Sequence, residues 1–341
     1  MEKNFASDNA SGVCPEVMEA LMVANQGHTP SYGNDSLTRE AGELIRQELG
    51  RDCEVFFVYN GTAANTLACK AVLRSIDSII CPNSAHIVTH EVGAPVNATG
   101  SKVITVPASN GKITAEQIRQ AHHDETWWGP HATRPKLVSI TQSTEWGTVY
   151  SLEELAKIKS VCNELSMLLH VDGCRIYNAA ASLGCSLEAL CEHIDILSLG
   201  GTKNGLMFGE ALVFFDQDAA DGFLHLRKQG LQLHSKMRYI SSQFKALFSN
   251  NLWHRNADNA NRMAARLAEG LQRCDNTSLI CPVETNQVFL SMPEEFATKL
   301  QKITHFYANG PKPGVYRMVT SFDTTKAEVD RFIAAAMHLN P

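Results

Sequence analysis

The sequence lacks an excess of basic residues, a long apolar run and an apolar leader, and each absence excludes a class of protein. Its 30 Lys and Arg against 36 Asp and Glu leave a net charge of −6, whereas a nucleic-acid-binding surface needs a basic patch. No apolar stretch approaches the roughly 20 residues that span a bilayer. The first residues, MEKNFASDNASG, contain no signal-peptide core. We therefore expect a cytoplasmic protein that binds neither nucleic acid nor membrane.

The sequence also lacks cysteines spaced as a C-x-x-C motif. None of the ten cysteines belongs to a C-x-x-C motif, and most lie in apolar contexts that are typical of reduced, buried thiols. The segment HHDETWWGPHATRP (122–135) offers His122, His123, Asp124 and His131 as metal ligands. It has no periodicity, so we predict a solvated loop with two partly buried tryptophans. Without a defined ligand spacing we expect no metal.

Short apolar runs alternate with helical segments along most of the chain. EVFFV, SIIC, KVITV, KLVSIT, MLLHVDG, DILSLGG and ALVFF predict strands, and segments such as GTAANTLACKAVLR predict helices. The segment SLEELAKIKSVCNEL begins with Ser151 and has Glu154 three residues later, which predicts a capping box. Continuous apolar strands separated by helices are typical of a parallel sheet buried on both faces. The fold class is therefore α/β.

The length of 341 residues suggests two domains, at about 100–200 residues each. The pattern is helical from about Asp216 to Arg273, and strands alternate with helices again after Asn286. We predict a boundary near Asn250 between a large domain and a small C-terminal α/β domain.

Two candidate residues follow predicted strands. Lys203, in LGGTKNG, comes after the strand DILSLG. It is either part of an exposed turn or a lysine held unprotonated in a cleft, where its amine can do covalent chemistry. Asp172 ends the strand MLLHV, so both side chains belong at the strand ends where parallel sheets bind ligands. The alternatives for Asp172 are a helix cap or a surface pair with Arg175.

Two more candidates precede them in the chain. In YNGTAANTLACKAVL a strand runs into Asn60, Gly61 and Thr62, where a helix begins. Such a helix N-terminus favours a phosphate, although a simply capped helix explains it equally well. The G-x-G-x-x-G and P-loop patterns are absent, so neither a dinucleotide nor a nucleoside triphosphate is favoured. His86 is either an ordinary packed histidine or an imidazole stacked on an aromatic cofactor.

Together these four segments match the needs of pyridoxal 5′-phosphate (PLP). That cofactor requires a Schiff-base lysine, a carboxylate for its pyridine nitrogen and a seat for its phosphate. The order of phosphate seat, histidine, aspartate and lysine along alternating strands and helices favours PLP over the separate explanation of each segment.

The sequence also resembles the low-specificity L-threonine aldolases, which belong to the aspartate-aminotransferase-like (fold type I) PLP enzymes. The segments that carry the resemblance span nearly the whole chain: FASDNASG, YGND, FFVYNGTAAN, AHIVTHEVGAP, NGKIT, HVDGCRIYNA, GGTKNG, SKMR and YRMVTS. It implies a mostly parallel seven-stranded sheet in a large domain (15–250), a small domain (251–341) and an N-terminal arm (1–14) that contributes to the site. It further implies cleavage of L-threonine or L-allo-threonine to glycine and acetaldehyde by a homotetramer.

The resemblance implies a role for each candidate residue. Lys203 would hold PLP as a Schiff base, Asp172 would hold the pyridine nitrogen, and His86 would stack on the ring. The phosphate would be bound by Gly61, Thr62, Thr202 and Arg238. The substrate carboxylate would be bound by Ser7, Arg175 and Arg317, with Arg175 also counted among the cofactor contacts and Tyr32 lining the site.

The chain departs from the family at one position. Many members carry a histidine shortly after the strand equivalent to LVSIT, where this chain has Thr144 followed by Glu145. That histidine is a candidate for handling the substrate's β-hydroxyl. Its absence leaves the general base open among His86, His90, Glu145 and a bound water.

The reaction itself also has alternatives. The same scaffold hosts β-elimination, transamination and decarboxylation, because a fold does not fix an activity. A non-catalytic PLP-binding regulator is disfavoured by the absence of a basic DNA-binding segment. Within the aldolases, the preferred side chain (methyl or aryl) and the selectivity at Cβ cannot be deduced from the sequence.

Overall fold

A mostly parallel, seven-stranded sheet forms the centre of the computed structural model, which describes residues 3–308 and 314–339. The strand order is β1-β7-β6-β5-β4-β2-β3, and β7 runs antiparallel to both neighbours. These strands are β1 (Glu54–Val58), β2 (Asp77–Pro82), β3 (Lys102–Val106), β4 (Arg134–Thr141), β5 (Leu168–Gly173), β6 (Ile196–Leu199) and β7 (Glu210–Phe214). The predicted strands and the predicted fold class are confirmed.

Helices cover both faces of this sheet. Adjacent residues of one strand, such as Leu137 and Val138 on β4, belong to separate clusters of buried apolar side chains, because successive side chains point to opposite faces. The first nine helices are α1 (Pro15–Ala24), α2 (Ser36–Leu49), α3 (Gly61–Val72), α4 (His86–Thr89), α5 (Ala94–Thr99), α6 (Ala115–Thr126), α7 (Leu152–Glu164), α8 (Ile176–Leu183) and α9 (Leu187–Cys191). The predicted capping box of Ser151 and Glu154 is present at the start of α7.

The prediction of a loop over residues 122–135 is wrong in its first part. Helix α6 runs through Thr126 and begins with a capping box formed by Thr114 and Gln117. Only Ile118 of this helix is buried. The helix therefore lacks the regular spacing of apolar residues by which a helix is predicted from sequence. The tryptophans that follow, Trp127 and Trp128, are exposed and not partly buried.

The C-terminal part contains a second, antiparallel sheet in the order β10-β11-β9-β8. Its strands are β8 (Ser278–Leu279), β9 (Gln287–Ser291), β10 (Tyr307–Ala308) and β11 (Val315–Val319), and the remaining helices are α10 (Phe223–Gln229), α11 (Arg238–Leu247), α12 (Leu252–Leu271), α13 (Glu294–Gln301) and α14 (Lys326–Leu339). The domain limits stay predictions. None of the helices in the described residues is long and apolar enough to cross a membrane.

The N-terminal segment is joined to this second sheet. The backbone N–H of Phe5 donates to the carbonyl of His305 at 2.9 Å, and the N–H of Val319 donates to the carbonyl of Phe5 at 2.8 Å. The ring of Phe5 packs edge-on against Phe332 with centroids 5.2 Å apart. These contacts carry the following residues, Ser7 and Asp8, towards the carboxyl ends of the large sheet.

Candidate functional site

A cavity of about 400 Å³ lies beside the ends of three neighbouring strands of the large sheet. Glu145 follows β4, Arg175 follows β5 and Lys203 follows β6, and all three line the cavity. This is the edge at which open α/β sheets bind ligands. Other predicted site residues in the cavity wall are Ser7, His86, His90 and Arg317.

Lys203 lies in a short 3₁₀ turn, Thr202–Asn204, directly after β6. The glycines before it permit close backbone approach, since a Cβ on Gly201 would lie 2.5 Å from the carbonyl oxygen of Gly209. Burial lowers the pKa of the Lys203 amine, but Asp8 and Asp172 act against burial and the pKa is raised overall. The charged form is therefore favoured, contrary to the expectation of a lysine held unprotonated.

Asp172 is a buried carboxylate at the end of β5. Its Oδ2 accepts from Asn65 Nδ2 at 2.8 Å and its Oδ1 accepts from the backbone N–H of Cys174 at 3.0 Å. Burial alone would raise the pKa of Asp172, but the charge of Lys203 and these hydrogen bonds lower it. The group is therefore an anion that can pair with a protonated ring nitrogen.

A hydrogen-bonded network joins Asp172 to His86. Glu91 Oε1 lies 2.8 Å from His86 Nδ1 and also accepts from Asn65 Nδ2 at 2.8 Å. One amide group thus bridges the carboxylates of Glu91 and Asp172. In the described part of the chain, His86, Glu91 and Asp172 are the one group with metal-ligand spacing, their atoms lying within 4.8 Å of one another. The Asn65 amide donates to one oxygen of each carboxylate, and Glu91 Oε2 has no partner among the described residues. The absence of a metal stays a prediction.

The sequence analysis missed Asn65 and Glu91, although both lie inside segments that it singled out. Asn65 comes one helical turn after Gly61, on the same face of α3, and Glu91 follows the short helix of His86. A buried polar residue one turn inside a helix is the signal that could have found Asn65.

The predicted helix start at Gly61 is present, and it is the place where the sequence predicts a phosphate. Asn60 caps the helix by accepting from the N–H of Ala63 at 2.9 Å. No acceptor within residues 3–308 or 314–339 receives the N–H groups of Gly61 and Thr62, as expected for the first turn of a helix. A Cβ on Gly61 would meet nothing within 4 Å, so the space beside the Cα of Gly61 is open.

The other predicted phosphate contacts have partners within the chain. The hydroxyl of Thr202 donates to Glu210 Oε1 at 2.8 Å. Arg238 begins α11 and donates to Thr29 Oγ1 at 3.0 Å. Neither Arg238 nor Tyr32, which is exposed, lines the cavity. The structure therefore does not bring these last two residues to the site within one chain.

The two arginines predicted for the substrate carboxylate differ in their contacts. Arg175 is buried and forms a two-pronged ion pair with Asp8, with Nε 2.7 Å from Oδ2 and Nη2 3.0 Å from Oδ1. Asp8 was not singled out from the sequence, although it lies in FASDNASG. Within residues 3–308 and 314–339, the one hydrogen bond of the Arg317 side chain is a 3.4 Å contact with the carbonyl of Ala6, and burial lowers its pKa. Arg317 therefore has the freer guanidinium.

Thr144 and Glu145, at the position where many family members carry a histidine, have different surroundings in the structure. Thr144 is buried and its Oγ1 lies 2.8 Å from Thr148 Oγ1. Glu145 lines the cavity instead, and its Oε1 accepts from the backbone N–H of His86 at 3.0 Å and from Thr141 Oγ1 at 2.6 Å. The nearby His90 has its pKa lowered by burial and by His86 and Arg317.

Comparison with known proteins gives concordant results. A model of the beta-eliminating lyase family matches residues 4–295. The chain is 42% identical over 325 residues to a low specificity L-threonine aldolase of Pseudomonas aeruginosa, covering 94% of this chain and 93% of that protein. It is 41% identical to the enzyme of the same name from a Pseudomonas species, covering 97% and 96%. A solved structure of threonine aldolase from Leishmania major superposes with a TM-score of 0.95 at 33% identity over 100% of both chains.

Proposed function

The chain belongs to the beta-eliminating lyase family and groups with its low specificity L-threonine aldolases, and from that premise we propose that it cleaves L-threonine and L-allo-threonine to glycine and acetaldehyde. The observation that carries the proposal is that Lys203 lines the cavity at the strand ends and interacts electrostatically with the buried carboxylate of Asp172. We place the enzyme in the cytoplasm.

The residues present fit PLP, which supplies a ring that accepts the electron pair of the bond being broken. Lys203 would hold PLP covalently, and the carboxylate of Asp172 would keep a proton on the ring nitrogen. The amides of Gly61 and Thr62 at the N-terminus of α3, which have no acceptor among the described residues, would receive the phosphate. The phosphate fits there because an anion is stabilised at the positive end of a helix.

His86 would lie against the ring in an orientation fixed by its neighbours. Its Nδ1 is 2.8 Å from Glu91, and its backbone N–H is fixed by Glu145 at 3.0 Å. Because Asn65 donates to both Glu91 and Asp172, the imidazole and the carboxylate for the ring nitrogen are positioned by one side chain.

The substrate carboxylate would bind to Arg317, with Ser7 and Arg175 beside it. A guanidinium matches a carboxylate with two parallel hydrogen bonds. Because Asp8 already occupies two nitrogens of Arg175, Arg317 supplies most of this binding. Arg175 contributes its positive charge and its fixed position.

We further propose a homotetramer with sites at subunit interfaces. Tyr32 and Arg238 lie outside the cavity of their own chain, which supports a role for them in the site of another subunit. The N-terminal arm (1–14) contributes Ser7, and the proposed limits of the large and small domains are 15–250 and 251–341.

The activity is tested by incubating the PLP-loaded protein with L-threonine and measuring every product. The proposal expects glycine and acetaldehyde in equal amounts, and neither with Lys203→Ala. Formation of ammonia with 2-oxobutanoate would indicate β-elimination, and a dependence on an added keto acid would indicate transamination. Either result would contradict the proposal.

A further inference from the structure

We propose that Glu145 is the general base that removes the proton from the substrate's β-hydroxyl. The inference rests on the proposed aldolase function and assigns the one catalytic role that the sequence leaves open. It rests on the place of Glu145 in the cavity wall and on one of its carboxyl oxygens, which is buried without a partner among the described residues.

The segment after β4 holds Glu145 in place. The side chain of Gln142 bonds to the backbone of Tyr150 in both directions, donating to its carbonyl at 2.8 Å and accepting from its N–H at 3.0 Å. Within this loop the N–H of Thr144 donates to the carbonyl of Thr148 at 2.9 Å. A loop closed by its own hydrogen bonds supports a side chain whose position matters to within a fraction of an ångström.

The two oxygens of Glu145 differ in their surroundings. Oε1 accepts two hydrogen bonds, from His86 N–H and from the Thr141 hydroxyl. Oε2 is buried and has no hydrogen-bond partner in residues 3–308 and 314–339. A buried oxygen without a partner costs free energy, so this atom would gain from one hydrogen-bond donor, and a substrate hydroxyl would supply it.

The three cations of the cavity wall and His86 are less suited to accept this proton. Among the lining residues that the structure describes, Glu145 is the only acid. Lys203, Arg175 and Arg317 are cations with no lone pair to offer in their charged forms. The imidazole of His86 is already bonded to Glu91 and would lie with its face against the cofactor ring.

The proposed step moves the β-hydroxyl proton and two electron pairs. The β-hydroxyl proton moves to Oε2, and the electron pair of the O–H bond becomes the second bond of the aldehyde carbonyl. The Cα–Cβ bond breaks at the same time, and its electron pair stays on Cα of the glycine fragment, where PLP would stabilise the charge until Cα takes up a proton from water. The proton on Glu145 leaves to water when the aldehyde departs, or returns to the aldehyde in the reverse reaction.

The environment of the carboxyl makes it more basic than an exposed glutamate, which suits a general base. Burial, with help from the charge of Asp172, raises the pKa of Glu145. The base form therefore accumulates as pH rises through this raised pKa, and cleavage should increase over the same range.

The titratable or charged groups facing Glu145 are Asp172 on β5, Cys81 on β2, Tyr150 in the loop, His86 on α4, and His90, Lys203, Arg175 and Arg317 around the cavity.

The test is Glu145→Gln in the PLP-loaded enzyme. Glutamine keeps an oxygen for His86 N–H and Thr141 but cannot accept the proton. We expect kcat for L-threonine cleavage to fall by about 10²- to 10⁴-fold, the usual contribution of a general base, and the acidic limb of the pH profile to disappear. The matched control is Glu153→Gln on the exposed side of α7, which should leave kcat unchanged.

Three further readouts separate a base from a structural residue. The variant should keep its Tm, its visible absorbance and its rate of glycine Cα-hydrogen exchange in D₂O, because that exchange involves no β-hydroxyl.

Each other outcome counts against a named claim. Cleavage by Glu145→Gln within threefold of wild type overturns the inference. A parallel loss of Tm and glycine exchange also overturns it, because that pattern shows a structural role. A wild-type enzyme that exchanges glycine but does not cleave L-threonine refutes the proposed function instead.

Discussion

Arg317 and Arg175 share one cavity but are in different chemical states. Arg175 is neutralised by the buried carboxylate of Asp8, with which it shares two hydrogen bonds. Among the described residues, Arg317 has only a long contact to a backbone carbonyl. Since a guanidinium without a partner gains most from an incoming carboxylate, the two arginines should respond differently to mutation.

Removal of the Arg317 guanidinium should weaken substrate binding far more than stability. A hydrogen bond to a charged group contributes about 1.5–3 kcal/mol, so Arg317→Ala should raise KM for L-threonine by about 10- to 100-fold. The Tm should change by only a few degrees. Arg317→Lys, which keeps the charge, should recover part of the loss. Steady-state kinetics and thermal unfolding measure both effects, and equal losses of affinity and Tm would indicate a structural role.

Glu210 should make the stability of the protein depend on pH. Burial raises the pKa of Glu210 to about 7, although Thr202 and the N–H of Gly201 bond to it. A carboxyl whose pKa is higher in the folded state than in the unfolded state stabilises the fold. This stabilisation is fully present at pH values below the unfolded-state pKa. That contribution, on the order of 3 kcal/mol for such a shift, is lost as pH rises from about 4.5 to 7.

The check is Tm measured across this pH range for the wild type and Glu210→Gln. The wild type should lose more Tm than the variant between pH 5 and pH 8. An identical pH dependence of the two proteins would show that Glu210 does not titrate in this range.

At the scale of elements, the N-terminal segment matters because it crosses from the second sheet to the site. Its backbone pairs with His305 and Val319, and Asp8 ends it with the buried ion pair to Arg175. The segment therefore couples the packing of the C-terminal sheet to the position of Ser7 and Arg175 in the cavity.

Asp8→Asn should destabilise the protein strongly. The change leaves the buried Arg175 without its counter-ion, and breaking a buried pair in this way costs about 3–5 kcal/mol. Lys3→Ala is the control in the same segment, because the exposed Lys3–Asp323 pair should be worth about 0–1 kcal/mol. Chemical denaturation of both variants measures the difference. Similar losses for the two variants would contradict the account of the segment.

Elements with a strong local pattern could be predicted, and contacts between distant segments could not. The strands and the α7 capping box follow from apolar runs and end signals that lie within a few residues. Helix α6 was missed because it is a surface helix with one buried side chain.

The candidate site shows the same division. Lys203, Arg175 and Ser7 were predicted and line the cavity. Asn65 was missed because its role depends on Asp172, far along the chain. Likewise, only the folded chain shows that Glu145, and not Thr144, lines the cavity.

At the scale of the whole molecule, the proposed tetramer accounts for surface features that one chain leaves unexplained. Several large apolar side chains are exposed, including Met22, Val92 and Leu231. Tyr32 and Arg238 lie away from the cavity of their own chain. Light scattering should give four times the chain mass of 37.4 kDa. A monomer at micromolar concentration would contradict a shared site.

The central claim is that Lys203 holds PLP in a site that activates the Cα of an amino acid. The most direct test is the visible absorption spectrum of the purified, PLP-supplemented protein before and after the addition of glycine. The account predicts a yellow protein whose band shifts to longer wavelength with glycine, and a Lys203→Ala protein without the starting band. A protein that stays colourless with PLP, or a Lys203→Ala variant that stays yellow and active, would contradict it.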